Sequence, residues 1–369
     1  MKVLYILEDA RFGGMAKMVV ELASGVRQNH FECELLIGEE DSETLIKKIE
    51  RAGLTFHTIN LHYLAKNRKA IFAFAFFFVP DLLKLLIKIK ASSADIIYCN
   101  GSQHIKAVIA ARLLGKKVIW HMHDTYQHRF VLLLFKCTRK LFNIQNFIAS
   151  SHRTIHYYKL PITTTLLSLP PVDINEFCPQ KKEPLGLTGQ KTMTTVANIN
   201  PDKGLDTLIR AVSIVNQRKK EVNFQVVGLI PESQNILFSK LKLLAKELKV
   251  KNLNFIGPSD NIYSILNETD IYICSSNNES GPISVFEAMA MELPIICTNV
   301  GDLSELNRIK TFAKMVSVGD YQSMANEILA LLDNELARQD LGKNGRFIAQ
   351  NHLDIRLSFP KHRNFYLKL

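Results

Sequence analysis

Two doubly wound α/β domains are what this sequence predicts, and three observations predict them. Short apolar runs alternate with amphipathic stretches along most of the chain, the pattern of parallel strands covered on both faces by helices. A chain of 369 residues exceeds what one core organises and suits two domains of roughly 150 to 200 residues each. One long interval punctuated by proline and glycine, from Pro170-Pro171 through Pro179, Pro184, Gly186 and Gly189, interrupts the rhythm near its middle, where a linker belongs. The boundary is therefore expected near residue 185. At 47% hydrophobic and 22% charged, the composition excludes a disordered or collagen-like chain.

Each element follows from local pattern. Residues 3–7 (Val-Leu-Tyr-Ile-Leu) read as a buried first strand, which meets Glu8 and Asp9 after five apolar residues, too few for the core of a signal peptide. Strands are expected next at residues 33–37, 95–99, 117–121 and 146–149. The most apolar run, Ala70 to Val79, stops at Pro80-Asp81 and falls short of the roughly 20 residues a spanning helix needs, so no bilayer crossing is expected. The second half continues with strands at 192–197, 223–228, 253–257, 271–275, 294–298 and 315–318. Leu205, Leu208, Ile209, Val212 and Val215 keep the spacing of a helix packed on a sheet. Helices at 321–332 and 335–351 precede a basic, aromatic end, Lys361-His362-Arg363-Asn364-Phe365-Tyr366. The expected domains are thus 1–185, 186–350 and a tail, 351–369, that has the option of packing back on the first.

The net charge of +11 points to an anionic partner: nucleotide phosphates, nucleic acid or an acidic membrane. Cys33, Cys99, Cys137, Cys178, Cys274 and Cys297 form no close pair or cluster, so neither a disulfide framework nor a zinc site is indicated and a reduced, cytoplasmic protein is expected.

In open parallel sheets, ligands bind where strands feed helices, because helix starts present free N–H groups and a positive dipole. The site is therefore expected between the domains, at these loops. Gly13-Gly14, after the first strand, lets backbone approach a ligand, although a plain turn gives the same pair and the segment is not G-x-G-x-x-G. More telling is Glu279-Ser280-Gly281-Pro282-Ile283-Ser284-Val285-Phe286-Glu287. Ser280 or Gly281 suits a helix cap and Pro282 the first turn, which leaves Glu279 in the loop and Glu287 about a turn inside. Carboxylates so placed either complement the helix dipole or accept pairs of hydrogen bonds from vicinal hydroxyls, with phosphates at the helix start between them.

The frame E-x7-E formed by Glu279 and Glu287, followed by Ala288-Met289-Ala290-Met291-Glu292-Leu293-Pro294 and Gly301, resembles the donor-site signature of the family 4 retaining glycosyltransferases, whose GT-B fold places two Rossmann-like domains across a cleft. The resemblance extends to Phe12-Gly13-Gly14, His121-Met122-His123-Asp124, Ala149-Ser150-Ser151, Val172-Asp173-Ile174-Asn175-Glu176-Phe177-Cys178-Pro179 and Val196-Ala197-Asn198-Ile199-Asn200-Pro201-Asp202-Lys203-Gly204. It implies that Glu287 holds the nucleotide ribose and Glu279 the donor sugar. Gly281 and Ile283 then supply amides, Lys203 neutralises the diphosphate and His123 contacts the donor sugar. Gly13 and Gly14 line the donor from the first domain. The chain departs from the family at three points: Asn198 stands where the phosphate loop carries arginine, Pro282 lacks an N–H, and Pro170-Pro171 replaces Asn-Gly.

What the resemblance implies is a hexosyl transfer from a nucleotide diphosphate sugar, UDP before GDP, to a hydroxyl acceptor in polysaccharide or glycolipid assembly, with no metal cofactor. An epimerase or phosphorylase of the same fold is the alternative. A nucleic-acid-binding protein is a remote one, since no basic-aromatic sheet pattern is present. A lipid-linked acceptor and peripheral attachment to the inner face of the cytoplasmic membrane are expected from two cation-flanked apolar segments. The first is Lys66, Arg68 and Lys69 before Phe72, Phe74, Phe76, Phe77 and Phe78, with Lys84, Lys88 and Lys90 after. The second is Arg129, Lys136, Arg139 and Lys140 around residues 131–135. Interfacial helices have this composition, and so do sheet-covering helices whose apolar face is core.

Overall fold

A computed structural model describes every residue except 9–12, 29–30, 40–41, 65–67, 126–128, 181–189 and 219–221. The chain divides into two units, Met1–Pro171 with Ile355–Leu369, and Val172–Asp354.

The first unit runs β1 (Lys2–Leu7), α1 (Gly14–Arg27), β2 (Glu32–Gly38), α2 (Glu43–Arg51), β3 (Thr55–Ile59), α3 (Arg68–Phe76), α4 (Phe78–Ser92), β4 (Ile96–Asn100), α5 (Ile105–Leu113), β5 (Lys117–Met122), α6 (Arg129–Leu141), β6 (Phe147–Ala149), α7 (His152–Tyr158) and β7 (Thr165–Leu167). Its sheet has the order β3-β2-β1-β4-β5-β6-β7 and is parallel throughout. β1 places Val3 opposite Cys33 of β2 and Ile96 of β4. Val3, Tyr5 and Leu7 pack into the core on one face, Leu4 and Ile6 into that on the other. Because both faces are covered, the strand sequence is continuously apolar rather than alternating. The two edge strands, β3 and β7, are the ones the sequence does not announce: β3 fully buries only Ile59 and β7 is half-buried throughout, so neither needs an unbroken apolar run.

The second unit runs β8 (Lys191–Val196), α8 (Leu205–Arg218), β9 (Val222–Val227), α9 (Asn235–Glu247), β10 (Leu253–Gly257), α10 (Ile262–Asn267), β11 (Ile271–Cys274), α11 (Ile283–Ala290), β12 (Ile295–Thr298), α12 (Leu303–Ile309), β13 (Ala313–Val316), α13 (Tyr321–Asp333) and α14 (Glu335–Ile348). Its parallel sheet has the order β10-β9-β8-β11-β12-β13. The expected helix from 205 is α8, whose Leu205, Leu208, Ile209, Val212 and Val215 are all core.

The seam falls at Pro171/Val172, ahead of residue 185, which lies outside the described residues. Val172, Ile174 and Phe177 are buried, and Arg346 donates to the carbonyls of Phe177 (2.7 Å) and Ile174 (3.1 Å). Residues 172–178 are therefore anchored structure of the second unit and not a free linker. The chain then returns to the first unit as α15 (Ile355–Leu367). Tyr366 is buried with its hydroxyl 3.4 Å from that of Tyr5, and His362 Nε2 meets Ser168 Oγ at 2.9 Å. Burial holds the His362 ring neutral, its pKa down at about 3.

The two cation-flanked segments divide differently from the sequence expectation. Phe74 is core and Phe78 packs against it, while Phe77 stacks on the His62 ring at 4.0 Å. What remains outside is a ridge of Phe72, Phe76, Val79, Leu83 and Ile87, each more than half exposed, along which Lys69, Lys84, Lys88 and Lys90 are also exposed. In α6, Val131 and Phe135 are core and Leu133 is exposed, so the second segment is mainly a sheet-covering helix, because its apolar face fills the space over Trp120 and Phe147. Lys66 lies outside the described residues, and the side chain of Arg68 with it. Among the described residues no single helix is long and apolar enough to cross a membrane, although Lys69–Phe76 and Phe78–Ser92, bent by 63°, meet the length and composition test as a pair.

Candidate functional site

In an open parallel sheet the ligand crevice lies beyond the carboxyl ends of the two strands where the order reverses. In the second unit these are β8 and β11, and the loops that follow them hold most of the residues singled out from sequence. After β8, Asn200 Oδ1 accepts from the Asp202 amide at 2.9 Å and starts a single tight turn, Pro201–Lys203. Gly204 closes it at φ +56°, with Ser275 O only 2.1 Å from where a Cβ would stand. Glycine is required there for both reasons.

The loop after β11 is tied to this turn. Asn277 N–H donates to Asp202 O at 2.6 Å and Ser275 Oγ to Lys203 O at 2.9 Å. The ties bring Lys203 Nζ to 2.5 Å from Glu279 Oε1, which also accepts from Ser276 Oγ at 3.0 Å. Burial works against the Lys203 ammonium, but Glu279 beside it outweighs burial and lifts its pKa above the ordinary lysine value. The Lys203 ammonium is therefore held charged at neutral pH, by a partner 76 residues away in sequence.

α11 starts later than the sequence suggests. Pro282 is its cap rather than a first-turn residue, since its ψ of 87° keeps it outside the helix. Gly281 lies in the loop and Ile283 opens the helix; the amides of Ile283 and Ser284 have no carbonyl a turn behind them, whereas Val285 N–H donates to Pro282 O at 2.9 Å. Glu287, one turn further on, is buried at 8% exposure. Ser280 Oγ is buried with no hydrogen-bond partner among the described residues. Sequence reasoning missed Ser280 and Ser276 as site groups, because a serine in a loop carries no signal of what its hydroxyl faces. Asn198, where a cation was missing, uses its Oδ1 to accept from Leu229 N–H at 2.8 Å and so fastens the end of β8 to that of β9.

In the first unit, Gly13 caps α1 in extended conformation, and a Cβ there would meet nothing within 4 Å among the described residues. Gly13 and Gly14 are exposed, and Phe12 lies outside the described residues. His121 is buried between Tyr98 OH (2.7 Å to Nδ1) and Ser150 Oγ (3.2 Å to Nε2), and burial holds it neutral. It is spent on structure, so His121 and His123 do not act as a pair. His123 Nε2, in contrast, is buried and lacks a partner among the described residues. Nowhere among the described residues do three or more His, Cys, Asp or Glu side chains gather as a metal site would require.

Two family models match the chain: Glycosyltransferase Family 4 over residues 12–160 and Glycosyl transferases group 1 over residues 179–347. A capsular polysaccharide biosynthesis glycosyltransferase of Staphylococcus aureus, CapM, is 28% identical over 46% of this chain and 44% of its own length. The chain spans about half the length of that relative and of an uncharacterised Haemophilus influenzae glycosyltransferase (49%). The Escherichia coli UDP-Gal:α-D-GlcNAc-diphosphoundecaprenol α-1,3-galactosyltransferase is 25% identical over 95% of both chains. Among solved structures, Anabaena HepE in complex with UDP and glucose superposes with a TM-score of 0.85 over all of both chains, at 18% identity.

Proposed function

The chain belongs to the family 4 glycosyltransferases of GT-B fold, and on that premise we propose that it is a retaining hexosyltransferase using a UDP-sugar, with a lipid-linked glycan hydroxyl as acceptor. The observation that carries this is the Lys203–Glu279 pair at the strand-order reversal, beside the start of α11. A donor diphosphate arriving there finds an ammonium and a helix N-terminus. As Lys203 turns to the phosphates, Glu279 is released to accept hydrogen bonds from sugar hydroxyls, and Glu287 accepts from the ribose diol. The bond from the sugar C1 to the diphosphate then breaks with its electron pair leaving on the nucleoside diphosphate. The acceptor oxygen bonds to C1 on the face from which the diphosphate departs, and its proton passes to the departing phosphate oxygen. Lys203 acts where the negative charge grows, which is the type of contact that accelerates a step rather than merely binding substrate. The first-turn amides with Lys203 supply the positive charge, so the reading needs no metal. Gly281, Ile283 and Ser280 line the sugar end. In the first unit, the resemblance assigns donor contacts to His123, whose Nε2 is buried with no hydrogen-bond partner among the described residues, and to Gly13 and Gly14.

UDP is favoured over GDP because HepE has been crystallised with UDP and with UDP-glucose and because the E. coli relative takes UDP-galactose. That relative's diphosphoundecaprenol acceptor and the apolar, lysine-flanked ridge of α3 and α4 support a lipid-linked acceptor and docking on anionic membrane from the cytoplasmic side. The role in capsule or related polysaccharide assembly follows the same relatives.

The test is a thermal-shift screen of UDP- and GDP-sugars. It is followed by NMR of the product made from the donor that stabilises most. An axial donor linkage that appears axial in the product is expected. Inversion at C1 would remove the retaining assignment, and stabilisation by GDP-sugars alone would remove the UDP assignment.

A further inference from the structure

α11 has only eight residues and is about 12 Å long, so where its start points depends on what grips its end. The chain leaves it in a tight reversal. Leu293 N–H donates back to Ala288 O and Glu292 N–H to Met289 O, each at 3.1 Å, and Met291 N–H to Glu287 O at 3.0 Å. Glu292 stands at φ +60°, in the left-handed region where a helix of this ending usually has glycine. Of the last four carbonyls of α11, these bonds leave one, Ala290 O, and it accepts from Arg346 Nη1 of α14 at 2.5 Å. The start of the helix is held by a longer contact, Ser284 Oγ to Val196 O at 3.3 Å.

The same guanidinium donates to the carbonyls of Phe177 and Ile174, so it fastens the end of α11 to a second stretch of backbone. Three carbonyls from two segments lie within the span of a guanidinium fork, which a single ammonium does not cover. Glycines let α14 come this close. A Cβ on Gly342 would stand 2.1 Å from Glu292 O, and one on Gly345 would stand 3.4 Å from Met289 Cα. Both neighbours are backbone atoms, which cannot swing aside as a side chain does.

Resting on the reading that Glu287 takes the nucleotide ribose, we infer that Arg346 is a positioning residue for the donor: with Gly342 it fixes the end of α11 and, through the helix, the place of the Glu287 carboxylate. Glu287 stands one turn before the gripped carbonyl of Ala290, so a shift of that end is passed on to it nearly whole. A carboxylate that accepts two hydrogen bonds from one diol tolerates little misplacement, and errors on the order of 1 Å are enough to spoil such a contact.

The experiment titrates UDP and GDP into the full-length chain by calorimetry, well below its melting transition, and follows the tighter of the two. Arg346→Lys keeps the charge and loses the span, whereas Gly342→Ala leaves Arg346 in place and presses on Glu292. Each is expected to raise the nucleotide Kd about tenfold with native circular dichroism. A role in stability alone would lower the melting temperature and leave the Kd of the folded protein as it was; an unchanged Kd in either folded variant overturns the inference. In a Glu287→Gln background Arg346→Lys is expected to add less than about twofold, because the group it places is already impaired. The full tenfold loss there means that Arg346 acts by another route, and it overturns the inference equally. If one of the two α14 variants does not fold, the other decides alone. A wild type that binds neither nucleotide removes the donor-site reading and this inference with it, whereas wild-type binding with indifferent α14 variants removes only this one.

Discussion

Glu8, buried directly after β1, makes Glu8→Gln a probe of stability that needs no substrate. Folding raises the Glu8 pKa from its ordinary 4.5 to about 7, so the folded protein holds this proton more tightly than the unfolded chain does. Linkage then gives the sign: the contribution of Glu8 to stability is fully present below about pH 4.5 and is lost as the pH climbs through about 7. At about 1.4 kcal/mol per pKa unit the full effect is about 3 kcal/mol, most of it between pH 5 and 8. Glutamine matches the protonated acid in shape and never ionises, so it removes the pH dependence and leaves any constant offset behind. Relative to wild type, the variant should gain about 2–3 kcal/mol on going from pH 5 to pH 8. For a unit of this size that corresponds to roughly 5–10 °C in the difference between melting temperatures. Differential scanning calorimetry at the two pH values reads it directly. The reasoning is refuted if the gap between the two proteins is the same at both, since Glu8 would then be as ionised when folded as when unfolded.

Other perturbations test the donor site and the surface. Glu287→Ala should weaken binding of the preferred nucleotide sugar about 100-fold, the worth of about two charge-assisted hydrogen bonds, with unchanged circular dichroism; calorimetry that finds native affinity removes the ribose assignment. Lys203→Ala should lower kcat about 100- to 1,000-fold, with Glu279→Gln following in the same direction and donor KM moving less; a rise in KM at constant kcat would make both residues ordinary binding groups. Turnover should survive EDTA, and activity lost to chelation and restored by Mg²⁺ or Mn²⁺ would contradict the metal-free reading. Replacing Phe72 and Phe76 by serine should remove roughly 1.5–3 kcal/mol of apolar burial each and release the protein from anionic vesicles in co-sedimentation; equal binding by the double variant places the membrane contact elsewhere.

How much of this was legible in the sequence depended on whether a feature is local. The buried strands announced themselves because both faces of each sheet are covered, and Glu279 with Glu287 because a loop followed by a helix keeps both near the start of α11. The edge strands β3 and β7 stayed silent, since half-exposed edges tolerate polar residues. Glu8 read merely as the polar end of an apolar run. What buries it is the packing of α4 and α5, which arrives from residues about 70 to 100 positions away, and no local pattern encodes that. Phe74 and Phe76 look alike in sequence, yet one is core and the other exposed, because a helical step of two residues carries a side chain to the opposite face.

The return of α15 to the first unit has a consequence for biosynthesis. The second unit interrupts the first in sequence, so a ribosome releases residues 1–171 long before the helix that completes their core exists. Until Tyr366 emerges, the pocket around Tyr5 and Phe31 that it fills is open to solvent. The inner unit, contiguous from Val172 to Asp354, has all its strands in hand earlier. Vectorial synthesis thus favours an order in which the second unit matures first and the terminal helix then seals the other. Cutting the gene at the seam would yield a self-contained fragment from the middle of the chain, whereas residues 1–171 alone would lack that seal.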